Sequence, residues 1–193
     1  MTGKMTVDAK KSLTQLINAR KQKEQARPIE MSEEDRIKHF KHWTTFYRRN
    51  LNIYVRDRLG IRLEPYQHLM LWLMSKSMVF VGICARGSAK SFLLGIYAIA
   101  MCLLYPHYQV VVVSSTIPQG LVIYNKTRNE LCGGTSKDGL SPLLSYLYKK
   151  DLIHFRTSDT ALEIEIKITN SRIMVLPPLD SSRGNYFLKN VII

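Results

Sequence analysis

The stretch Phe80-Val81-Gly82-Ile83-Cys84-Ala85-Arg86-Gly87-Ser88-Ala89-Lys90-Ser91 constrains this chain more than any other. It reads as an apolar strand, a small-residue turn, and a Lys-Ser pair at the head of an apolar helix. Such a turn can wrap its backbone N–H groups around a phosphate at the positive end of the helix. The lysine then reaches the terminal phosphates, and the following hydroxyl ligates Mg²⁺. The pattern G-x-x-x-x-G-K-[ST] is only half met. Lys90 and Ser91 stand in place, but Cys84 and Ala89 occupy the two glycine positions, and Gly87 lies three residues before the lysine. If position 89 needs a left-handed backbone, alanine there costs roughly 1–2 kcal/mol relative to glycine. Taken alone, the stretch fits a triphosphate site and a plain strand–turn–helix junction with an exposed lysine equally well.

The remainder of the sequence narrows the context. A chain of 193 residues suits one ordinary domain, and 46% hydrophobic content argues against global disorder. The 28 Lys and Arg against 15 Asp and Glu leave a formal charge of +13. That excess points to a polyanion, with nucleic acid first and an anionic membrane second. A solvated basic surface is the alternative, because the charges are dispersed. Cys84, Cys102 and Cys132 lack metal-ligand spacing, and the first two sit in apolar contexts, so buried thiols in a reducing compartment are expected. No secretory leader opens the chain. The longest apolar run, Phe92 to Tyr105, suits a buried helix better than a membrane span, which implies a soluble intracellular protein.

Along the chain, residues 1–30 form a lysine-rich arm, helical or frayed, with Leu13, Leu16 and Ile17 as a thin apolar stripe. Ser32 before Glu33, Glu34 and Asp35 predicts an N-cap and an acidic first turn. Ile37, Phe40, Trp43, Phe46 and Tyr47 then recur at helical spacing, and this stripe reads as a packing face in preference to a base-stacking platform. Arg48 and Arg49 suit either phosphate contact or the helix C-terminus. Pro65 opens another helix. Met78 to Ala85 reads as a strand, Ser91 to Tyr105 as an apolar helix, and Gln109 to Thr116, with its four valines, as a buried strand. Together they predict a βαβ unit with a parallel sheet. Ile117 to Leu131 and Leu140 to Lys150 read as helices. The alternation of Leu162 to Ile168, followed by Thr169-Asn170 and Arg172 to Leu176, predicts a hairpin. Asp180 to Asn185 reads as a polar loop, and Val191-Ile192-Ile193 as the start of another strand.

Four features in this order resemble the ATPase domain of the large subunit of tailed-phage terminases, the motors that package viral DNA. Leu63-Glu64-Pro65-Tyr66-Gln67 is similar to the adenine-recognising segment, with Tyr66 and Gln67 at the base. Ala85-Arg86-Gly87-Ser88-Ala89-Lys90-Ser91 resembles the family's variant Walker A, which carries an arginine four residues before the lysine. Val110 to Thr116 with Ile117-Pro118-Gln119 is similar to the strand-to-helix segment facing nucleotide or DNA. Ser182-Arg183-Gly184 followed by Asn190-Val191-Ile192-Ile193 resembles the approach to Walker B.

The resemblance covers roughly Met31 to Ile193 and implies a P-loop NTPase-type fold: a mainly parallel sheet flanked by helices, preceded by a helical segment and incomplete at its C-terminus. It implies ATP and Mg²⁺ as cofactors. Arg86, Gly87, Ser88, Ala89, Lys90 and Ser91 would form the phosphate site, with Lys90 and Arg86 catalytic and Ser91 on the metal. Implied partners are duplex DNA bound without sequence preference, a small terminase subunit and the procapsid portal, with a homo-oligomer on that portal. The implied setting is the cytoplasm of an infected or lysogenic bacterial host, without a membrane. Ala89 in place of glycine is expected to alter nucleotide affinity. The family's Walker B strand ends in Asp-Glu, whereas Val191-Ile192-Ile193 carries no acidic pair, so the chain alone is expected to show little ATPase activity. A non-catalytic nucleic-acid-binding fragment and a helicase-like P-loop ATPase are the alternatives.

Overall fold

The computed structural model describes residues 32–192, except 86, 115–116, 135–138, 158–161 and 177–188. The chain divides into two compact units, Met1–Lys41 and His42–Ile193. The N-terminal arm, the polar loop at Asp180 to Asn185 and the Ser182-Arg183-Gly184 segment lie outside the described residues.

Helix α1 spans Glu33–Arg49. The Asp35 backbone N–H donates to Ser32 Oγ at 3.2 Å, so the expected cap is present. The packing role expected of the aromatic stripe holds only at Tyr47, which is buried. Tyr47 meets Tyr54 edge-on, with ring centroids 5.4 Å apart. Tyr54 lies on α2 (Leu51–Asp57), a short helix. Trp43 and Phe46 remain about half exposed, and Ile37 and Phe40 in the first unit are more open still. Within the second unit a single aromatic of the stripe, Tyr47, thus meets the core.

Helix α3 is Pro65–Lys76, and α4 is Lys90–Leu104. Strand β1 (Gln109–Val113) leads into α5 (Ile117–Asn125), which continues as a π-helical turn through Lys126–Leu131. Helix α6 is Pro142–Lys149, with Ser141 Oγ accepting from the Leu144 N–H. Strands β2 (Ile153–Thr157), β3 (Leu162–Ile166), β4 (Ser171–Leu176) and β5 (Lys189–Ile192) complete the set.

One sheet has the order β2-β3-β4-β1-β5. The β3–β4 hairpin forms as its alternation predicts, with Glu163 opposite Met174 and Ile164 opposite Ile173. Leu162, Ile164 and Ile166 face the core. On the other face Glu165 pairs with Arg156 at 2.9 Å and Glu163 with Arg172 at 3.5 Å. Strand β1 runs parallel to both β4 and β5. The sheet is therefore mixed, with antiparallel pairing at β2–β3 and β3–β4, where a mainly parallel one was expected. The cause is the hairpin, whose short turn can join only antiparallel neighbours.

The βαβ expectation also needs correction. Met78 to Ala85 forms no strand and joins no ladder among the described residues. In the order β2-β3-β4-β1-β5 the segment is not a member, and β1 pairs instead with β4 and β5. The segment is instead laid open: Met78 is 98% and Ile83 97% exposed, with Val79 and Val81 nearly as accessible. Apolar, uncharged sequence indicated a strand, but a strand also needs a neighbour.

Helix α4 is buried through Ile96, Tyr97, Ala98, Ile99 and Ala100, as its all-apolar sequence requires. Its C-terminus lacks a basic residue of its own. Arg48 of α1 supplies one, donating from Nε and Nη2 to the Leu104 carbonyl at 3.0 and 2.8 Å. The same guanidinium lies 4.6 Å from the Tyr105 ring centroid. Arg48 thus serves the end of another helix, a role that sequence did not indicate.

Candidate phosphate-binding loop

The loop at the head of α4 is built by backbone conformation first. Gly87 has φ +86 and Ala89 φ +54, whereas Ser88 between them does not share that handedness. Alternating handedness of this kind turns successive N–H groups toward one side, a concavity suited to an anion. The Ser88 N–H and hydroxyl both return to the Ala85 carbonyl, at 3.3 and 2.8 Å, which closes the turn. Beyond Ala89, the first N–H groups of α4 have no carbonyl within their own helix to accept them. They carry the positive end of the helix dipole into the loop.

Lys90 crosses the mouth of this turn. Its Nζ donates to the Cys84 carbonyl at 2.8 Å and to the Ala85 carbonyl at 2.9 Å. An ammonium has three hydrogens, so two tie the side chain to the loop and a third is left to donate. This arrangement fixes a positive charge beside the N–H concavity without burying it unpaired. Ser91 follows on the first turn of α4 and is half-buried. The structure therefore brings Gly87, Ser88, Ala89, Lys90 and Ser91 together. Arg86 lies outside the described residues.

Ala89 takes a left-handed backbone, with ψ 27, and serves as the N-cap of α4 without a side-chain bond. Because that conformation is already present in the folded loop, its strain is absorbed on folding and not on ligand binding. Ala89→Gly should therefore raise stability, by up to about 1 kcal/mol once the added freedom of the unfolded chain is subtracted. Phosphate-ligand affinity should change less than about threefold, well under the roughly tenfold that 1.4 kcal/mol represents. Thermal melting and calorimetry on both proteins check this. Tighter binding with an unchanged melting temperature would show that the loop forms only around its ligand.

Tyr66 and Gln67 sit on the first turn of α3. The Gln67 Oε1 accepts the Glu64 N–H at 2.9 Å, one half of a reciprocal capping box. Its Nε2 donates to the Tyr66 hydroxyl at 3.3 Å. Gln67 is buried and Tyr66 half exposed. The helix-capping role, which sequence could not separate from base recognition, is thus formed, while a second Nε2 hydrogen remains in the amide's inventory. Gln67→Ala should lower stability by about 0.5–2 kcal/mol through the lost cap. A simultaneous narrowing of ATP-over-GTP preference in competition binding would add base recognition to that role. Unchanged selectivity would leave Gln67 as a cap alone.

Cys102 and Cys132 are buried free thiols. Burial pushes Cys102 far above the ordinary thiol range and Cys132 up to about 12, so neither is a nucleophile. Cys84 is half-buried beside the loop, where its carbonyl holds Lys90. Among the described residues no group of three His, Cys, Asp or Glu side chains is placed to hold a metal ion, and no helix is long and apolar enough to cross a membrane.

No protein-family model and no curated protein matches the sequence. Among solved structures, the large terminase of bacteriophage HK97 is similar in fold, with a TM-score of 0.57 and 14% sequence identity. The match covers 75% of this chain and 30% of the phage protein, so this chain spans under a third of that protein's length. At that identity the likeness concerns the fold. The chain has a mixed α/β, terminase-like architecture.

Proposed function

We propose that this chain is the ATP-binding part of a viral DNA-packaging motor of the terminase large-subunit type, in which ATP hydrolysis drives duplex DNA into a procapsid. One observation carries the reading: the Lys90 ammonium tied across a left-handed loop at the head of a buried helix, in a terminase-like fold. The donor set suits a triphosphate, offering convergent N–H groups, a fixed ammonium and an adjacent hydroxyl.

In this reading the third Lys90 hydrogen donates to the β/γ-phosphate oxygens, and the loop N–H groups hold the phosphate in register. Ser91 supplies a hydroxyl ligand to Mg²⁺, and Arg86 stabilises charge developing on the γ-phosphate. Gln67 and Tyr66 contact the adenine edge. Mg²⁺, when bound with the nucleotide, neutralises phosphate charge. Phosphoryl transfer depends mainly on such positioning and charge stabilisation, so the protein needs no covalent intermediate. The proposed assembly is a homo-oligomer on a portal, with a small terminase subunit as partner, in the cytoplasm of a bacterial host.

Duplex DNA would be engaged through its phosphates by the basic surface, without base readout. Two measurements test the reading together. Calorimetry should show Mg·ATP binding to the chain, and anisotropy should show duplex affinity falling log-linearly with salt, equally for unrelated sequences. Absent nucleotide binding rejects the phosphate site. A salt-independent affinity, or a strong preference for one short sequence, rejects the proposed mode of DNA contact.

A further inference from the structure

We propose that Trp43 and Phe46, flanked by Arg49 and Arg58, form a stacking platform for the unpaired bases of a single-stranded nucleic acid. The platform is separate from the phosphate loop and does not depend on it. Three observations carry the proposal. Trp43 is 46% and Phe46 43% exposed, although both belong to a stripe whose remaining member in this unit, Tyr47, is buried. Trp43 and Phe46 lie three residues apart on α1, and Arg49 three further, so they form one row along the helix surface. Arg58, at the end of α2, places its guanidinium 4.5 Å from the Trp43 ring centroid and 5.6 Å from that of Tyr47.

Arg58 lies over one face of Trp43, and both Trp43 and Phe46 keep nearly half of their surface open. Tyr47 sits 5.6 Å from Trp43 and 5.4 Å from Phe46, centroid to centroid, and is itself anchored on Tyr54. A ring so braced loses little freedom when a base stacks on it, which favours stacking over a loose hydrophobic contact. Arg49 and Arg58 are exposed, so both are available to phosphates.

Charge decides among possible occupants. The patch carries the exposed Arg49 and Arg58, and the segment His42 to Asn50 has no acidic residue, within a chain of net charge +13. A second copy would bring like charges together at this patch, which is unfavourable. A polyanion that also presents flat, apolar faces satisfies both halves of the surface. A single strand does so, whereas a duplex keeps its bases stacked on one another.

The test uses the full chain with Trp72 replaced by Phe, so that Trp43 is its single tryptophan. Titration with oligo(dT) should quench Trp43 emission, and a duplex of equal length should quench it much less. In anisotropy with labelled oligo(dT), Trp43→Ala and Phe46→Ala should each weaken binding about 5- to 30-fold with the salt slope unchanged, and Trp43→Phe should retain most of the affinity. Arg49→Ala and Arg58→Ala should instead shallow the salt slope by about 0.7 each, the value for a single strand. Binding that leaves Trp43 emission unchanged, or that survives Trp43→Ala intact, overturns the proposal. Equal affinity for poly-glutamate would assign the patch to an acidic protein partner, and quenching on self-association without nucleic acid would assign it to a second copy. Either result also overturns it.

Discussion

Lys90→Ala is expected to remove detectable nucleotide binding while leaving the chain folded. Lys90 is half-buried, and its ammonium is tied only to two backbone carbonyls, at 2.8 and 2.9 Å. Its loss leaves the Cys84 carbonyl at the loop surface, and the helix behind it keeps its core. The effect on stability should stay near 0.5–1 kcal/mol, the usual scale of such bonds. The effect on binding is larger, because a charge-assisted donor to phosphate contributes about 1.5–3 kcal/mol, or roughly 10- to 150-fold in affinity. Loss of the two carbonyl ties also frees the loop to leave the shape that aims its N–H groups, adding to that loss. Calorimetric titration with Mg·ATP, beside a melting curve, separates the two effects. Unchanged ATP affinity would place the phosphate elsewhere and remove the basis for the nucleotide reading.

Gly95→Val should produce the largest loss of stability among single changes near the loop. Gly95 is buried one turn beyond Lys90 on α4, and a Cβ there would sit 2.7 Å from Thr127 Oγ1. Thr127 cannot readily yield, since its hydroxyl donates to the Ile123 carbonyl at 2.9 Å and the residue is buried in the π-helical turn. The helices must therefore separate, and overpacking of this kind costs typically 1–3 kcal/mol. For a chain of this size the melting temperature should fall by several degrees, at about 2–4 °C per kcal/mol. Because α4 carries Lys90 and Ser91 at its head, nucleotide affinity should fall as well. Thr127→Ala should partly restore both, as it removes the atom that the new side chain meets. A wild-type melting temperature for Gly95→Val alone would show that the α4–α5 contact is not close-packed.

Much of the architecture was legible because it follows from local pattern. The all-apolar run after Lys90 could only be a buried helix, and the Leu-Glu-Ile-Glu-Ile alternation could only be a strand with one wet face. Ser32 and Pro65 marked helix starts through capping and ring geometry, which act over three or four residues. A left-handed residue before Lys90 was open as a condition of the motif, and the φ of +54 at Ala89 meets it.

What sequence left open was mostly what depends on a distant partner. Arg48 could hold a phosphate or charge the end of its own helix, whereas it bonds the Leu104 carbonyl at the end of another helix, 56 residues away. The stripe from Trp43 to Tyr47 has uniform helical spacing, yet one ring is buried and two stay open. Periodicity shows which residues share a face, not what that face meets. Met78 to Ala85 makes the same point for strands. Its composition expresses a preference for extended backbone, but among the described residues it pairs with no strand of the sheet and lies exposed. Residue pattern by itself determined helix, hairpin and loop, because those rest on hydrogen bonds and side chains a few residues apart. Strand order, the exposed apolar segment and the setting of Lys90 were decided only in the tertiary structure, where edges and faces compete for the same neighbours.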